Sequence, residues 1–338
     1  MKTVLFFFCV LSAFGETLLD LNDYQQDFVL EAKRISIPGH PYAFNPSIIQ
    51  WQGKTLLSFR IIPGNKKSFN SELGLVFLDK QFNPIGQPQL LPLRSADSQI
   101  PCRAEDGRLI QLQDSLLMVY SDCSEPQISK GGFRVHIAEI THDGANFNIA
   151  HQESLTQFEG ASRARREKNW VPFVYQNQLL LSYSINPHLV LRPLLWTNAC
   201  ETTSWSRGEP KWEWGDLLGG TTALPHNDQY LSFFHSSSKI ATVQSGGVPM
   251  LHYFMGAYLY NAAPPFMLTH ISPHPIVAPE FYQGEEHEYY WKPVQAIFPC
   301  GYIQDEQYIW IAYGRQDHET WVVKLDKKGL LQSLVPVN

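Results

Sequence analysis

The chain is poor in several things, and each shortage removes a class of function. Only 17% of its 338 residues are Asp, Glu, Lys or Arg, and the formal net charge is −6, so composition gives no reason to expect nucleic acid or an anionic membrane as a partner. There are five cysteines, with no Cys-x-x-Cys pair and no close Cys and His set, which leaves no structural zinc pattern. The histidines are scattered without a metal-ligand rhythm, and neither a metal nor another cofactor is expected. A glycine-rich phosphate loop and a serine nucleophile elbow are both missing. No low-complexity linker divides the chain, so residues 16–338 are expected to form a single domain.

What is present begins with a short leader. Lys2 precedes an apolar run over residues 4–14, with small residues at Ala13 and Gly15, the pattern of a signal peptide cleaved after about residue 15. The run is too short for a mature membrane span, and Cys9 follows Phe8 rather than the small residue a lipid anchor needs. Stable membrane insertion is therefore not expected. The destination would be the medium, a periplasm or a secretory lumen. Removal of the leader leaves Cys102, Cys123, Cys200 and Cys300. Cys102 and Cys123 flank one hairpin and are the first disulfide candidates in an oxidising compartment, with buried free thiols the alternative.

From Asn45 onward a pattern recurs about five times: a polar cluster, a hairpin of apolar strands, then another strand. The clusters are Asn45-Pro46-Ser47, Glu105-Asp106-Gly107-Arg108, Lys168-Asn169-Trp170 and Gly219-Gly220-Thr221-Thr222, and the fifth hairpin runs over residues 296–317. Starts lie roughly 50 to 75 residues apart, which suits one four-stranded blade per unit. The pattern predicts an all-β, five-bladed β-propeller whose unlike polar clusters meet at one central mouth. Later strands are expected over residues 73–79, 133–140, 253–261 and 321–326. Residues 189–214 hold prolines and four tryptophans and suggest an extended loop, where Trp196, Trp205, Trp212 and Trp214 either stack on sugar or plug the blades.

Two clusters carry chemistry. In Glu105-Asp106-Gly107-Arg108, an arginine beside two carboxylates can hold one ionised while burial keeps the other protonated, as acid-assisted glycosidic cleavage requires. Residues 163–170 concentrate Arg163, Arg165, Arg166 and Lys168 and could grip phosphate, a sugar phosphate or a carboxylate. An ordinary turn and a solvated basic loop are the plain alternatives.

With these openings in hand, the chain resembles glycoside hydrolase family 130, the β-mannoside phosphorylases and hydrolases, and the related β-mannosyltransferases. The resemblance spans about residues 45–326. It rests on Asn45-Pro46, Phe59-Arg60, Glu105-Asp106-Gly107-Arg108 where the family has Glu-Asp-Pro-Arg, Lys168-Asn169-Trp170, Gly219-Gly220-Thr221, His235, Phe298-Pro299-Cys300-Gly301, Tyr313-Gly314 and Asp317. It implies a sugar pocket at one end of the channel. Asp106, beside Glu105, would be the general acid, working through a mannosyl hydroxyl with inversion. Asn45, Arg60, Arg108 and Asp317 would bind sugar, and Lys168, Asn169, His235 and Arg166 would face the phosphate or nucleophile.

The chain departs from the family at residues 181–188, where a phosphate-binding arginine is absent, and at Gly107, which replaces a proline and predicts a looser turn. Export also disfavours a phosphorylase, which conserves bond energy as a sugar phosphate. The expected function is a secreted glycosidase acting on β-mannosides. The alternatives are a phosphorylase or glycosyltransferase of the same fold, using phosphate or a sugar phosphate, and a glycan-binding propeller without turnover. A hydrolase also needs a base, for which Glu285, Glu286 and Glu288 are candidates.

Overall fold

The computed structural model describes residues 18–63, 70–95, 102–123, 132–162, 165–283 and 294–338. The leader, Arg163 and the three glutamates at 285, 286 and 288 lie outside them. Among the described residues no helix is long and apolar enough to cross a membrane.

The fold is all-β in a propeller arrangement, built from five sheets, antiparallel but for one short strand of the fourth, taken almost in chain order. The first sheet holds Phe44–Trp51, Lys54–Ile61, Glu72–Leu78 and Pro84–Leu90. In the second are Ala104–Leu112, Ser115–Asp122, Arg134–His142 and Phe147–Ser154. Val171–Tyr175, Gln178–Ser184, His188–Leu194 and Ala199–Ser206 form the third. The fifth combines Ile297–Gln304, Tyr308–Arg315 and Glu319–Asp326 with Val29–Arg34 from the chain's start. That last pairing, Ala32 against Val323, ties the two ends of the chain into one sheet. Ring closure removes open sheet edges at the seam.

The fourth sheet differs. It has seven strands, dominated by the twelve-residue pair Gln229–Ile240 and Met250–Asn261. The expectation of five like blades is corrected to four four-stranded blades and one enlarged sheet. The sequence pattern missed this because the extra strands, such as Leu218–Gly219, Val294–Gln295 and Val335–Pro336, are two residues long and carry no periodicity.

Tight turns follow from local chemistry. Gln52-Gly53 and Gln176-Asn177 place both central residues at positive φ, the handedness that matches twisted hairpin strands. Alternation along each strand buries one or both faces, and an apolar cluster fills each gap between neighbouring sheets. Near the N-terminus, where helix and strand were both open, a short 3-10 helix, Leu21–Tyr24, precedes the strand Val29–Arg34.

The extended loop expected over residues 189–214 is not there. Most of that span is the regular strand pair His188–Leu194 and Ala199–Ser206. Its tryptophans divide by burial. Trp212 and Trp214 pack edge-on against Phe234 and Phe254, while Trp196 and Trp205 stay exposed on the third sheet.

Candidate active site

The polar clusters lie in or just before the strand that opens a sheet, and backbone irregularities aim them. In the first sheet the register slips between Phe44 and Ser47, and in the second between Glu105 and Arg108. Each slip is a bulge with one extra residue, and that residue, Asn45 or Asp106, has φ of 46° or 55°. Asn and Asp tolerate this left-handed conformation better than other side chains with a Cβ. Asn169 before the third sheet and Asp317 in a turn of the fifth share it, at 63° and 56°. The same left-handed conformation thus recurs at four candidate residues, two in bulges and two outside the ladders.

The bulges meet. Asn45 Nδ2 donates to Asp106 Oδ1 at 2.8 Å, and Arg60 reaches the same oxygen at 3.3 Å. The other arm of Arg60 donates to Glu105 Oε1 at 2.6 Å, and Lys168 Nζ donates to Glu105 Oε2 at 2.7 Å. Asn45, Arg60, Glu105 and Asp106 are all buried, so these charge-assisted bonds act where water screens little. Close approach here needs glycine at 314, because a Cβ there would sit 2.1 Å from Asn45 Oδ1.

Gly107 is not the loose point its sequence predicts. Ser58 Oγ donates to its carbonyl at 2.8 Å, and a Cβ would press on Met118 Sδ and Leu73 Cδ1 at 2.8 and 2.9 Å. Neighbours hold this turn in place of a proline ring.

Electrostatics separate the carboxyl groups. Burial pushes Asp106 upward, but Arg60, Lys168, Arg108 and the Asn45 amide outweigh it and hold Asp106 below the usual carboxylate range. At Asp317 burial wins over the attraction of Arg60, and the nearby Asp106 and Glu105 charges add to it, so its pKa rises to about 6. His235 is driven down to about 3 by burial and by the Arg108 charge, so it stays neutral.

These groups open into a cavity of about 1190 Å³. Asn45, Arg60, Glu105, Asp106, Arg166, Lys168 and Asp317 line it. Arg108, Asn169 and His235 are not among its lining residues. Arg108 is 1% exposed and donates to the backbone carbonyls of Asp106 and Gly219, at 3.1 Å each, and to that of Gly220. Its fork also reaches Asn169 Oδ1 at 3.3 Å. It therefore joins the second, third and fourth sheets behind the site. The His235 ring packs 4.4 Å from the Phe298 ring, which does line the cavity.

Several lining residues carried no signal in the sequence. Arg103, Phe133 and Tyr253 belong to the cavity, as does the stretch Val248, Pro249, Met250 and Leu251 at the tip of the long hairpin. Both Arg166 and Lys168 stand over the Phe133 ring, at 4.9 and 4.2 Å. Only Arg103, two residues before Glu105, could have been suspected. The span 181–188 does not line the cavity, and its His188 is buried, within 2.8 Å of Ser182 Oγ and 2.6 Å of the Phe266 carbonyl.

Cys102 and Cys123 are free thiols, as are Cys200 and Cys300. Ala104 pairs with Asp122, so Arg103 falls opposite Cys123 and Cys102 lies one position on. Successive positions alternate between faces, so the ladder does not oppose the two sulfurs. Among the described residues no three His, Cys, Asp or Glu side chains are grouped to hold a metal ion.

A family model described as beta-1,4-mannooligosaccharide phosphorylase, Glyco_hydro_130, matches residues 22–334. No curated protein gives a significant sequence match. Among solved structures, a mannose phosphorylase from Leishmania mexicana in complex with phosphate aligns with TM-score 0.60 and 10% identity over 94% of this chain and 93% of its own. The β-1,2-mannobiose phosphorylase of Listeria innocua aligns with TM-score 0.58 and 15% identity, covering 89% and 92%. A GDP-Man-dependent mannosyltransferase from Leishmania mexicana gives TM-score 0.59 and 9% identity, covering 89% and 90%.

Proposed function

The chain belongs to the glycoside hydrolase 130 family, and on that premise we propose that it is a secreted enzyme that cleaves β-mannosides with acid assistance and inversion. The observation that carries this reading is the pair Asp106 and Asp317, two carboxyl groups in one cavity whose proton affinities are pushed apart. Such separation is what acid-base catalysis uses. Up to about pH 6 Asp317 holds a proton that the ionised Asp106 lacks, and in this reading Asp106 takes up that proton before it acts as the acid. Asp106, held by Asn45 and Arg60, is the position from which the glycosidic oxygen is reached through a mannosyl hydroxyl. Glu105 fixes the two cations, Arg60 and Lys168, that frame the sugar.

The attacking group in this reading is water, whose proton passes to the Asp317 carboxylate left once its own proton has moved to Asp106. One observation favours phosphate as a second reading. Arg103, Arg166 and Lys239 line the same cavity and have no carboxylate partner among the described residues. Two guanidinium groups and an ammonium so placed suit a phosphate or a sugar phosphate. The solved relatives include a phosphorylase with bound phosphate, which supports taking that co-substrate seriously.

Secretion rests on the order of Lys2, apolar run and small residues, and N-terminal sequencing of exported protein starting near residue 16 would support it. We count the enlarged fourth sheet as a fifth blade, because an apolar cluster packs it against each neighbour as in the four-stranded blades.

Product analysis with a panel of β-mannosides, both oligosaccharide and alkyl, with and without phosphate, tests the reaction. Free mannose formed without phosphate and lost in Asp106→Asn is the expected result. Mannose 1-phosphate formed only with phosphate would replace hydrolysis by phosphorolysis. No product from any mannoside would overturn the reading.

A further inference from the structure

The cavity has two unlike sides. One is the charged floor described above. The other is a wall built from the fourth sheet, whose strands Gln229–Ile240 and Met250–Asn261 run three residues longer than any other strand among the described residues, the next longest having nine. Their pairing continues through Lys239 with Leu251 and Ile240 with Met250, which carries the hairpin past the end of a regular blade. A short parallel strand adds Val294 beside Leu251.

This wall presents Val248, Pro249, Met250, Leu251 and Val294 to the cavity. Val248 is 55% exposed and Leu251 38% exposed, so their apolar surface is left for something else to cover. None of these five side chains can donate a hydrogen bond, and only the Met250 sulfur can weakly accept one. A second sugar ring set against them would lose water from hydroxyls that find few replacements. An aliphatic chain would lose nothing and would bury its own surface.

Resting on the β-mannoside reading, we propose that the group attached to the mannose is aliphatic, so that the substrate is an alkyl- or lipid-linked mannoside rather than a manno-oligosaccharide. The sugar occupies the floor at Asn45, Arg60 and Asp317, and the chain leaves along Leu251 and Val248. Continuity of floor and wall within one cavity places the aglycone there. Lys239, Ser245 and Tyr253 also line the cavity from this hairpin, Ser245 Oγ being engaged by the Thr242 carbonyl, and beside them the aliphatic run at 248–251 selects a flexible chain over a stacked aromatic ring.

The test uses sulfur-linked β-mannosides, which resist cleavage, titrated calorimetrically into the mature full chain. Methyl, n-hexyl and phenyl 1-thio-β-mannosides are compared with 1-thio-β-mannobiose. Each buried methylene tightens binding about fourfold, so the hexyl compound is expected to bind at least about tenfold tighter than the methyl compound and than the disaccharide. In Val248→Ser/Leu251→Thr the hexyl-to-methyl ratio is expected to fall to within about threefold of unity. Val243→Ser, at an exposed residue of the same connection that does not line the cavity, is expected to keep the ratio.

Equal binding of methyl and hexyl compounds, tighter binding of the disaccharide, or a gain for phenyl alone would each overturn the aliphatic proposal and leave the mannoside reading standing. A ratio that fell as far in Val243→Ser would overturn it too. No binding of any of the four would instead remove the mannoside reading on which it rests.

Discussion

The floor and the wall of the cavity are made by opposite means. The floor is set by bulges inside well-paired sheets, where Asn45, Arg60, Glu105, Asp106 and Lys168 share one network of ion pairs and hydrogen bonds. The wall is a hairpin that outruns its sheet and offers mainly aliphatic side chains to the cavity, with Lys239, Ser245 and Tyr253 beside them. Reaction chemistry demands atoms held within a few tenths of an ångström, and a buried network across three sheets supplies that. Choice of substrate demands only a surface of suitable character, which a protruding hairpin can vary without disturbing the network.

If this division is right, substitutions in the floor should act on turnover and those elsewhere on binding or on nothing. The largest effect is expected for Asp106→Asn, with kcat lowered by about three orders of magnitude, the scale of a lost acid group, and a melting temperature that shows the fold intact. Turnover within tenfold of the parent would place the acid elsewhere.

Arg60→Met is expected to cost nearly as much activity and, unlike the first change, to destabilise by about 3–5 kcal/mol. It leaves Glu105 and Asp106 buried with part of their compensation gone. Urea denaturation checks this, and an unchanged midpoint would mean that water already serves those carboxylates.

Gly314→Ala probes the close approach that lets Asn45 meet Asp106. The added Cβ would fall 2.1 Å from Asn45 Oδ1, on a strand that cannot easily retreat. A loss of about 2 kcal/mol is expected, together with lower kcat, although residue 314 does not line the cavity.

Asp317 gives a pH signature. Its folded pKa of about 6 lies above the ordinary 3.8, so the folded state binds its proton more tightly than the unfolded state does. This contribution favours folding most below about pH 4 and is lost as pH rises to about 6. Above that it stays flat. In Asp317→Asn that part of the slope should vanish, and so should the fall in activity as pH rises through about 6. An activity profile identical to the parent's would show that the Asp317 proton is not used.

The smallest effect is expected on the outer face of the third sheet. Trp205→Ala removes an exposed ring that does not line the cavity, and kcat/KM should stay within about twofold. A large loss of affinity for long glycans alone would make that face a second contact surface.

Much of this arrangement was legible in the residues. Polar clusters before apolar hairpins marked the openings of the sheets, and seven of the ten candidate site residues line one cavity. The three that do not, Arg108, Asn169 and His235, sit in the same clusters or in the adjoining hairpin. A linear pattern shows that a side chain is near a mouth but not which way it points. Arg108 turns inward because the carbonyls of Gly219 and Gly220 need donors there. Of the two readings left open for the tryptophans, Trp212 and Trp214 follow the plug and Trp196 and Trp205 neither, because richness in aromatic residues does not tell an exposed edge from a plug.

By itself, then, the sequence determined the strand-rich repeat, the tight turns and the residue types that must become left-handed, because those depend on neighbours along the chain. Tertiary structure alone decided the rest. It placed Asn45 against Asp106, raised Asp317 while lowering Asp106, and drew the hairpin tip at 248–251 over the charged floor. Proton affinity depends on burial and on charges brought from distant sheets, and a cavity's character depends on which surfaces close around it. Neither quantity exists until the ring has formed.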